Sequence, residues 1–319
     1  MKKILVTYMF REGFEELENK YEVTFPTHEK HEFTYEEVFE MIPEYDALCP
    51  MFNFNVDKEL INRGLNLKII ANYAVGYDNI DIAYAKEKGI TITNTPYPVI
   101  NPTANLALSL ILDTARRVSE FDRKLRSAKM DCKINVFENL GMPVSEQVLG
   151  IIGMGRIGKA LCKRARACGM EVIYHNRRQL DLNEETKWGA TYVNMDELLQ
   201  QSDFVSINAP LTDKTYHLIG ENELKQMKQT AILINTSRGA LVDEKALIKA
   251  LQESQIHGAG LDVFEFGDCP SKELLSMNNV VLTPHIGTHT KYTRIQMIKA
   301  VCNNLIGFFE NDRPVNYVY

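Results

Sequence analysis

The 319-residue sequence has no long apolar stretch, no excess of positive charge and no paired cysteines. No apolar run approaches the roughly 18 residues that a membrane-spanning helix needs, so we expect no membrane association. The formal net charge of −6 argues against a general nucleic-acid-binding role. The six cysteines show neither C-x-x-C nor any other metal-ligand spacing, so we expect reduced thiols, no metal site and a cytoplasmic protein.

The N-terminal segment MKKILVTYMF also lacks the features of a signal peptide. Its apolar run stops at Arg11 and Glu12, and no small-residue cleavage site follows. The segment therefore predicts a first β-strand.

Short apolar runs alternate with helical patterns along most of the chain. The apolar fraction of 45% is that of an ordinary globular protein, and the length favours two domains. Five strands are predicted before residue 100, in KKILVTY, YEVTF, YDALCP, LKIIANYAV and GITITNTP. Six more follow between about 147 and 284. This β–α alternation predicts parallel sheets with helices on both faces.

Two helical patterns bear on domain organisation. A long one at 101–125 follows the first strand series, which suggests one helix connecting two domains. Another, at about 290–310, follows the second series, so it is free to return to the first domain.

Residues 148–158 carry a glycine pattern typical of dinucleotide binding. Gly153, Gly155 and Gly158 form G-x-G-x-x-G between an apolar strand and a helical run, which is the context the motif requires. The glycines permit a tight turn and let a pyrophosphate approach the helix N-terminus. A tight strand–helix turn without ligand is the alternative.

The end of the next strand indicates which dinucleotide is preferred. Asn176 stands where NAD-binding chains carry Asp or Glu, and Arg177 and Arg178 follow it. A carboxylate would repel a 2′-phosphate, whereas two arginines can pair with it. We therefore expect NADP(H) to be preferred, with NAD(H) possible. The alternative is that the arginines are exposed loop charges.

Two side chains that follow predicted strands are candidates for binding and proton transfer at one edge of the sheet. Arg238, after a strand end and before Gly239, offers a planar cation that can hold a carboxylate and polarise a carbonyl. His285 ends the last strand of the series and can give and retrieve a proton near neutral pH.

Five motifs together resemble the D-isomer-specific 2-hydroxyacid dehydrogenases. They are NYAVGYDNID (72–81), GMGRIG (153–158), INTSRGALVDE (234–244), GAGLDVFE (258–265) and TPHIGT (283–288). The resemblance implies two doubly wound parallel-sheet domains of α/β class. A Rossmann cofactor domain, 101–285, would be inserted in a flavodoxin-like substrate domain, 1–100 and 286–319. It also implies a homodimer formed through the long helix.

The resemblance further implies residue roles. The backbone amides of Val75 and Gly76 would bind the substrate carboxylate. Asp262 would bond the nicotinamide carboxamide. Cofactor contacts are expected from Thr103, Gly153, Gly155, Arg156, Ile157, Gly158, Asn176, Arg177, Arg178, Ala209, Pro210, Thr215, Thr236, Ser237, Arg238, Asp262 and His285.

One departure from the family pattern concerns catalysis. The catalytic Glu of the family stands five residues beyond the Asp of LDV, which here is Gly267. A carboxylate there would favour the protonated form of the histidine. Asp268 is the expected substitute, and Glu265 is a weaker candidate, otherwise a loop charge. A slower enzyme without a Glu–His pair is the other possibility.

Substrate choice is expected to depend on CPMFNFN (49–55). Met51, Phe52 and Phe54 suggest an apolar wall, although alternation turns only one or two of them inward. Small acids fit such a wall: glyoxylate, hydroxypyruvate or pyruvate. No basic residue near 50–55 suits a phosphorylated substrate. The alternatives are a D-lactate dehydrogenase specifically, or a catalytically weak NAD(P)-sensing protein of the co-repressor type.

Overall fold

The computed structural model describes residues 1–27, 29–127, 137–311, 313 and 315–319. They form two compact units, one made of Met1–Val99 with His289–Tyr319 and the other of Ile100–Thr288. The five cysteines in the described ranges are free thiols, and Cys132 lies outside those ranges. No helix in the described ranges is long and apolar enough to cross a membrane.

The strands and helices follow the predicted alternation. The strands are β1 Lys3–Val6, β2 Glu22–Thr24, β3 Ala47–Cys49, β4 Ile69–Ala71, β5 Thr91–Thr93, β6 Val148–Ile152, β7 Glu171–His175, β8 Thr191–Tyr192, β9 Phe204–Ile207, β10 Ile232–Asn235, β11 Gly258–Leu261 and β12 Val280–Leu282. The helices are α1 Glu15–Glu18, α2 Tyr35–Met41, α3 Lys58–Arg63, α4 Ile82–Glu87, α5 Ile100–Arg116, α6 Val118–Arg126, α7 Arg156–Ala167, α8 Leu182–Trp188, α9 Met195–Gln201, α10 Glu221–Gln226, α11 Glu244–Gln252, α12 Lys272–Ser276 and α13 Lys291–Asn311.

The first unit is built on a parallel sheet of five strands in the order β2-β1-β3-β4-β5. All five predicted strands are present. The C-terminal helix α13 packs against β4, and Tyr317 pairs with Thr93 beside β5. The chain end is therefore part of the first unit.

The second unit has a parallel sheet of seven strands in the order β12-β11-β10-β9-β6-β7-β8. The six predicted strands are present, and the prediction missed β8, which is only two residues long. The strand order reverses between β6 and β9, which is where doubly wound sheets bind ligands. Successive residues of β10 pack on opposite faces, with Leu233 in one buried cluster and Ile232 and Ile234 in the other.

The prediction of one helix over 101–125 was wrong, because the structure has two helices there, α5 and α6, with a break at Arg117. Arg117 adopts a left-handed conformation with φ of 59°, which ends α5 and starts α6. The Asp113 carboxylate accepts a hydrogen bond from the Ser119 N–H at 2.7 Å, and the Arg117 guanidinium pairs with Glu120. The pairing lowers the pKa of Glu120 to about 2. These side-chain bonds stabilise the break without a glycine or proline.

Candidate active site

The carboxyl ends of the strands in the second unit bring most of the predicted site residues to one edge of the sheet. Each of six strands is followed directly by such residues, because all seven strands run parallel. The groups are 153–158 after β6, 176–178 after β7, 209–215 after β9, 236–238 after β10, Asp262 after β11 and His285 after β12.

The three glycines of the fingerprint have different surroundings. A Cβ atom at Gly153, whose φ is 99°, would lie 2.7 Å from the carbonyl of Asn208, and one at Gly158 would lie 2.4 Å from the Gly153 oxygen. At Gly155, no heavy atom of the described residues lies within 4 Å of such a Cβ. Gly153 and Gly158 thus serve the close packing of the turn, whereas Gly155 borders open space.

The residues around Gly155 fit a dinucleotide. Gly155 is the N-cap of α7, whose first-turn amides have no acceptor within the helix and carry the positive end of its dipole. The Thr236 hydroxyl is buried and has no hydrogen-bond partner among the described residues. An open cradle at a helix N-terminus and an unsatisfied buried hydroxyl are features that a bound cofactor would explain.

Asn176 supports the glycine-rich turn. Its side-chain oxygen accepts a hydrogen bond from the Met154 N–H at 2.7 Å, and the Gly153 N–H donates to the His175 carbonyl. Arg177 and Arg178 follow on the surface with exposed side chains. The sequence did not reveal this second role of Asn176.

The segment after β9 is held by Thr215. Its hydroxyl donates to the Pro210 carbonyl at 2.7 Å and accepts from the Thr212 N–H at 2.8 Å. These bonds fix the turn beginning with Ala209 and Pro210, beside the glycine-rich turn.

Arg238 is half-buried on an ordered turn after β10. The Asn235 side chain donates to the Arg238 carbonyl at 2.8 Å, and the Ser237 hydroxyl donates to the Ile207 carbonyl at 2.9 Å. One guanidinium nitrogen of Arg238 donates to the Ser237 carbonyl. A short 3-10 helix, Gly239–Leu241, follows. The turn is therefore tied to both β9 and β10.

His285 stands on a left-handed residue that Asp262 supports. The φ of His285 is 53°, which is strained for a non-glycine residue, and its N–H donates to the Asp262 carbonyl. The Asp262 carboxylate accepts from the N–H groups of Ile286 and Gly287 at 2.8 and 3.0 Å and from the Thr283 hydroxyl. Burial raises the pKa of Asp262. Asp262 thus holds the turn that carries the imidazole, and Thr103 lies buried beside Gly287.

The structure does not support Asp268 as the carboxylate partner of His285. Asp268 is exposed and makes no hydrogen bond or ion pair with a described residue, so it is not joined to His285. Gly267 has a φ of 122°, which favours glycine, and open space surrounds its Cβ position. The interpretation of Glu265 as a loop charge was wrong. Its carboxylate is buried and is bonded to His217.

In the first unit, Val75 and Gly76 follow β4 with their carbonyls held by side chains. Asn94 donates to the Val75 carbonyl at 2.8 Å and Asn72 donates to the Gly76 carbonyl at 2.7 Å. Neither residue's N–H donates to an acceptor in the described part of the chain. Two adjacent amides on a fixed backbone can bind a carboxylate.

Met51 borders a cavity of about 350 Å³ within the first unit. Phe54 instead stacks on Tyr35 against the core, and the two side chains are separated by a turn that the Phe54 N–H closes on the Met51 carbonyl. The Arg294 guanidinium lies over the ring of Phe52, 5.9 Å from its centroid. Arg294 and Lys291 also line the cavity. The basic residues that the sequence does not show near 50–55 thus come from α13, far away along the chain.

Three comparisons with known proteins agree with this geometry. The family model described as "D-isomer specific 2-hydroxyacid dehydrogenase, NAD binding domain" matches residues 108–287. A glyoxylate reductase of Thermococcus litoralis is 50% identical over 285 residues, which are 88% of this chain and 86% of the relative. A glyoxylate reductase from Paecilomyes thermophila, known from its crystal structure, is 36% identical, with a TM-score of 0.90 over 99% of this chain and 98% of that one.

A third similar protein was solved with ligands. The NADPH-dependent glyoxylate/hydroxypyruvate reductase of Sinorhizobium meliloti, in complex with NADP and malonate, is 28% identical. Its TM-score is 0.87, over 99% of this chain and 96% of that one.

Proposed function

Because the chain belongs to the D-isomer-specific 2-hydroxyacid dehydrogenases, we propose that it reduces a small 2-oxo acid, glyoxylate or hydroxypyruvate, to the 2-hydroxy acid, which is the D isomer where the product is chiral. It is accordingly an NAD(P)-dependent oxidoreductase. The observation that carries the proposal is the arrangement at the sheet edge of the second unit. There an open glycine cradle, Arg238 and His285 all follow the carboxyl ends of parallel strands.

The roles of the two side chains follow from their chemistry. Arg238 binds the substrate carboxylate with its guanidinium and draws electron density from the adjacent carbonyl. His285, protonated, gives its proton to the carbonyl oxygen as the oxygen becomes a hydroxyl. The nicotinamide, when bound, supplies the hydride. The proposed cofactor contacts are the residues of the sheet edge named above, together with Thr103.

The first unit contributes groups suited to substrate recognition. The amides of Val75 and Gly76 are proposed as carboxylate donors, and Met51 and Phe52 as part of the wall that limits substrate size. In this proposal residues 1–100 and 286–319 form the substrate domain and residues 101–285 the cofactor domain.

NADP(H) is the proposed preferred cofactor, because two exposed arginines follow Asn176 and no acid stands beside them. Asn176→Asp tests the preference. Aspartate keeps the oxygen that accepts from Met154, so the turn stays intact, while its charge repels a 2′-phosphate. We expect the ratio of kcat/KM for NADPH over NADH to fall at least tenfold. An unchanged ratio would contradict the proposed preference.

We also propose a cytoplasmic homodimer formed through the region of α5 and α6. Light scattering tests the assembly, since a single species near the 36.4 kDa of one chain would refute it.

Steady-state assays with NADPH, NADH and a panel of 2-oxo acids test the activity. Arg238→Gln and His285→Asn should each lower kcat/KM by at least 100-fold, and asparagine tolerates the left-handed backbone of His285. Glu223→Gln, on α10 in the same unit, serves as the control. Tight cofactor binding without turnover of any acid would favour the sensing protein, and a preference for pyruvate would favour a D-lactate dehydrogenase.

A further inference from the structure

The Glu265 carboxylate is buried and accepts hydrogen bonds from three different groups. Its side chain is 6% exposed. One oxygen accepts from His217 Nε2 at 2.6 Å and from the Tyr216 hydroxyl at 3.2 Å, and the other accepts from the Glu244 N–H at 3.0 Å. A buried carboxylate is retained at little cost only when such donors compensate its lost hydration.

The Glu244 bond connects Glu265 to the segment that carries Arg238. Glu244 begins α11, six residues after Arg238, and its own carboxylate accepts from the Glu265 N–H at 3.0 Å. Between them, Gly239 lies so near the following turn that a Cβ would stand 1.9 Å from the Phe264 oxygen. The turn after β10 and the turn after β11 are therefore held together at two points that follow Arg238 in the chain.

His217 holds the same segment from a third direction. Its backbone N–H donates to the Ala240 carbonyl at 2.8 Å, and the backbone N–H of Ile219 donates to the Leu241 carbonyl at 3.0 Å. The His217 ring stacks on Tyr216, with 4.0 Å between ring centroids. Its Nδ1 lies 3.8 Å from the Asp243 carboxylate, while its Nε2 faces Glu265.

The His217 imidazole lies between two carboxylates. His217, Asp243 and Glu265 are close enough to suggest metal ligands. The two ring nitrogens contact different carboxylates, Nε2 that of Glu265 at 2.6 Å and Nδ1 that of Asp243 at 3.8 Å, so the imidazole links the two acids.

We propose that Glu265 is a positioning residue for Arg238, with His217 as its hydrogen-bond donor. Glu265 touches no reacting atom. It fixes the turn after β10 through its bond to Glu244 and the close contact at Gly239. The fixed turn keeps the Arg238 guanidinium in position to bind the substrate carboxylate. The proposal rests on the proposed function for its kinetic consequence. Its structural consequence, a turn held by Glu265, is independent of that function.

Glu265→Gln is the decisive variant. The Glu244 N–H can only donate, so it keeps the glutamine oxygen, and the glutamine NH2 then faces His217 and Tyr216, which must give up donating to this side chain. We expect KM for the 2-oxo acid to rise at least fivefold, with kcat within about threefold and the Kd for NADPH within twofold of wild type. His217→Phe, which cannot donate to Glu265, should also raise KM. His217→Gln, which can still donate, should raise KM less.

The matched control is Glu223→Gln. Glu223 also bonds a backbone N–H at a helix start in the second unit, that of Gly220 before α10, and among the described residues no hydrogen bond or ion pair joins its side chain to 236–244. Its KM should equal that of wild type.

Amide hydrogen exchange separates this inference from the proposed function. Peptides covering 236–244 should exchange faster in Glu265→Gln and at the wild-type rate in Glu223→Gln. If wild type reduces no 2-oxo acid, the proposed function fails, and faster exchange in Glu265→Gln alone still supports the clamp on the turn. Unchanged exchange overturns the inference. So does faster exchange with an unchanged KM in an active enzyme, because Glu265 would then stabilise the fold without placing Arg238.

Discussion

The surroundings of Gly155 allow cofactor binding to be removed without disturbing the fold. Gly155 has extended backbone, with φ of −80° and ψ of −158°, and its Cβ position is open. Alanine restricts the unfolded chain, which stabilises by about 0.4–1 kcal/mol, but it is a poorer N-cap than glycine by a similar amount. The two effects nearly cancel, so the melting temperature of Gly155→Ala without cofactor should lie within about 3 °C of wild type.

The loss of binding should be large by comparison. The added methyl group occupies the cradle from which the first-turn amides of α7 would reach a pyrophosphate. Each charge-assisted hydrogen bond contributes about 1.5–3 kcal/mol, so losing two weakens binding by about 100-fold or more. Fluorescence titration with NADPH measures the Kd, and thermal denaturation measures the stability of the same sample.

Gly153→Ala provides the contrasting variant. Its φ of 99° and the nearby Asn208 backbone make any side chain strained, so its stability without cofactor should fall by about 1–3 kcal/mol. If Gly155→Ala bound NADPH as tightly as wild type, the cradle at the start of α7 would not be the pyrophosphate site, and the assignment of this edge to the cofactor would be refuted.

Three further predictions concern other parts of the chain. Glu120, with a pKa lowered to about 2 by Arg117, stabilises the fold fully above its unfolded pKa of about 4.5, and this contribution is lost as pH falls from 4.5 to 2. It amounts to at most about 3 kcal/mol, so urea titrations should show Glu120→Gln less stable at pH 7 but equal to wild type near pH 2. Arg294→Met should lower kcat/KM for hydroxypyruvate about tenfold relative to glyoxylate, because the cavity beside Met51 loses its guanidinium donor; an equal loss for both acids would contradict this. Asp268→Asn should leave the pH profile of kcat/KM unchanged, and a shift would show that Asp268 reaches His285 during the reaction.

Most of the fold follows from local patterns in the sequence. The strands are short apolar runs bounded by turns, and eleven of them were recognisable because a parallel strand is buried on both faces. The two-residue β8 is too short for any periodicity. The break at Arg117 carries no glycine or proline, and it depends on bonds from Asp113 and Glu120 that no local pattern reveals.

The site was predictable where a residue directly follows a strand. Parallel strands bring such residues to one edge, which places Arg238 and His285 without knowledge of their contacts. Side chains whose partners lie far away along the chain were harder to predict. Glu265 pairs with His217, 48 positions before it, and Arg294 reaches Phe52 from the last helix, so only the folded structure shows their surroundings.

The division of the chain has a consequence for the order of folding during synthesis. The second unit is one continuous segment, so all of its strands are available once residue 288 has left the ribosome. The five strands of the first unit leave earlier but must wait for α13, which packs on β4, and for Tyr317, which pairs beside β5. Translation of residues 100–288 takes about 10–40 s at 5–20 residues per second. During that interval the first sheet lacks α13, so the face of β4 that this helix covers stays exposed on the nascent chain.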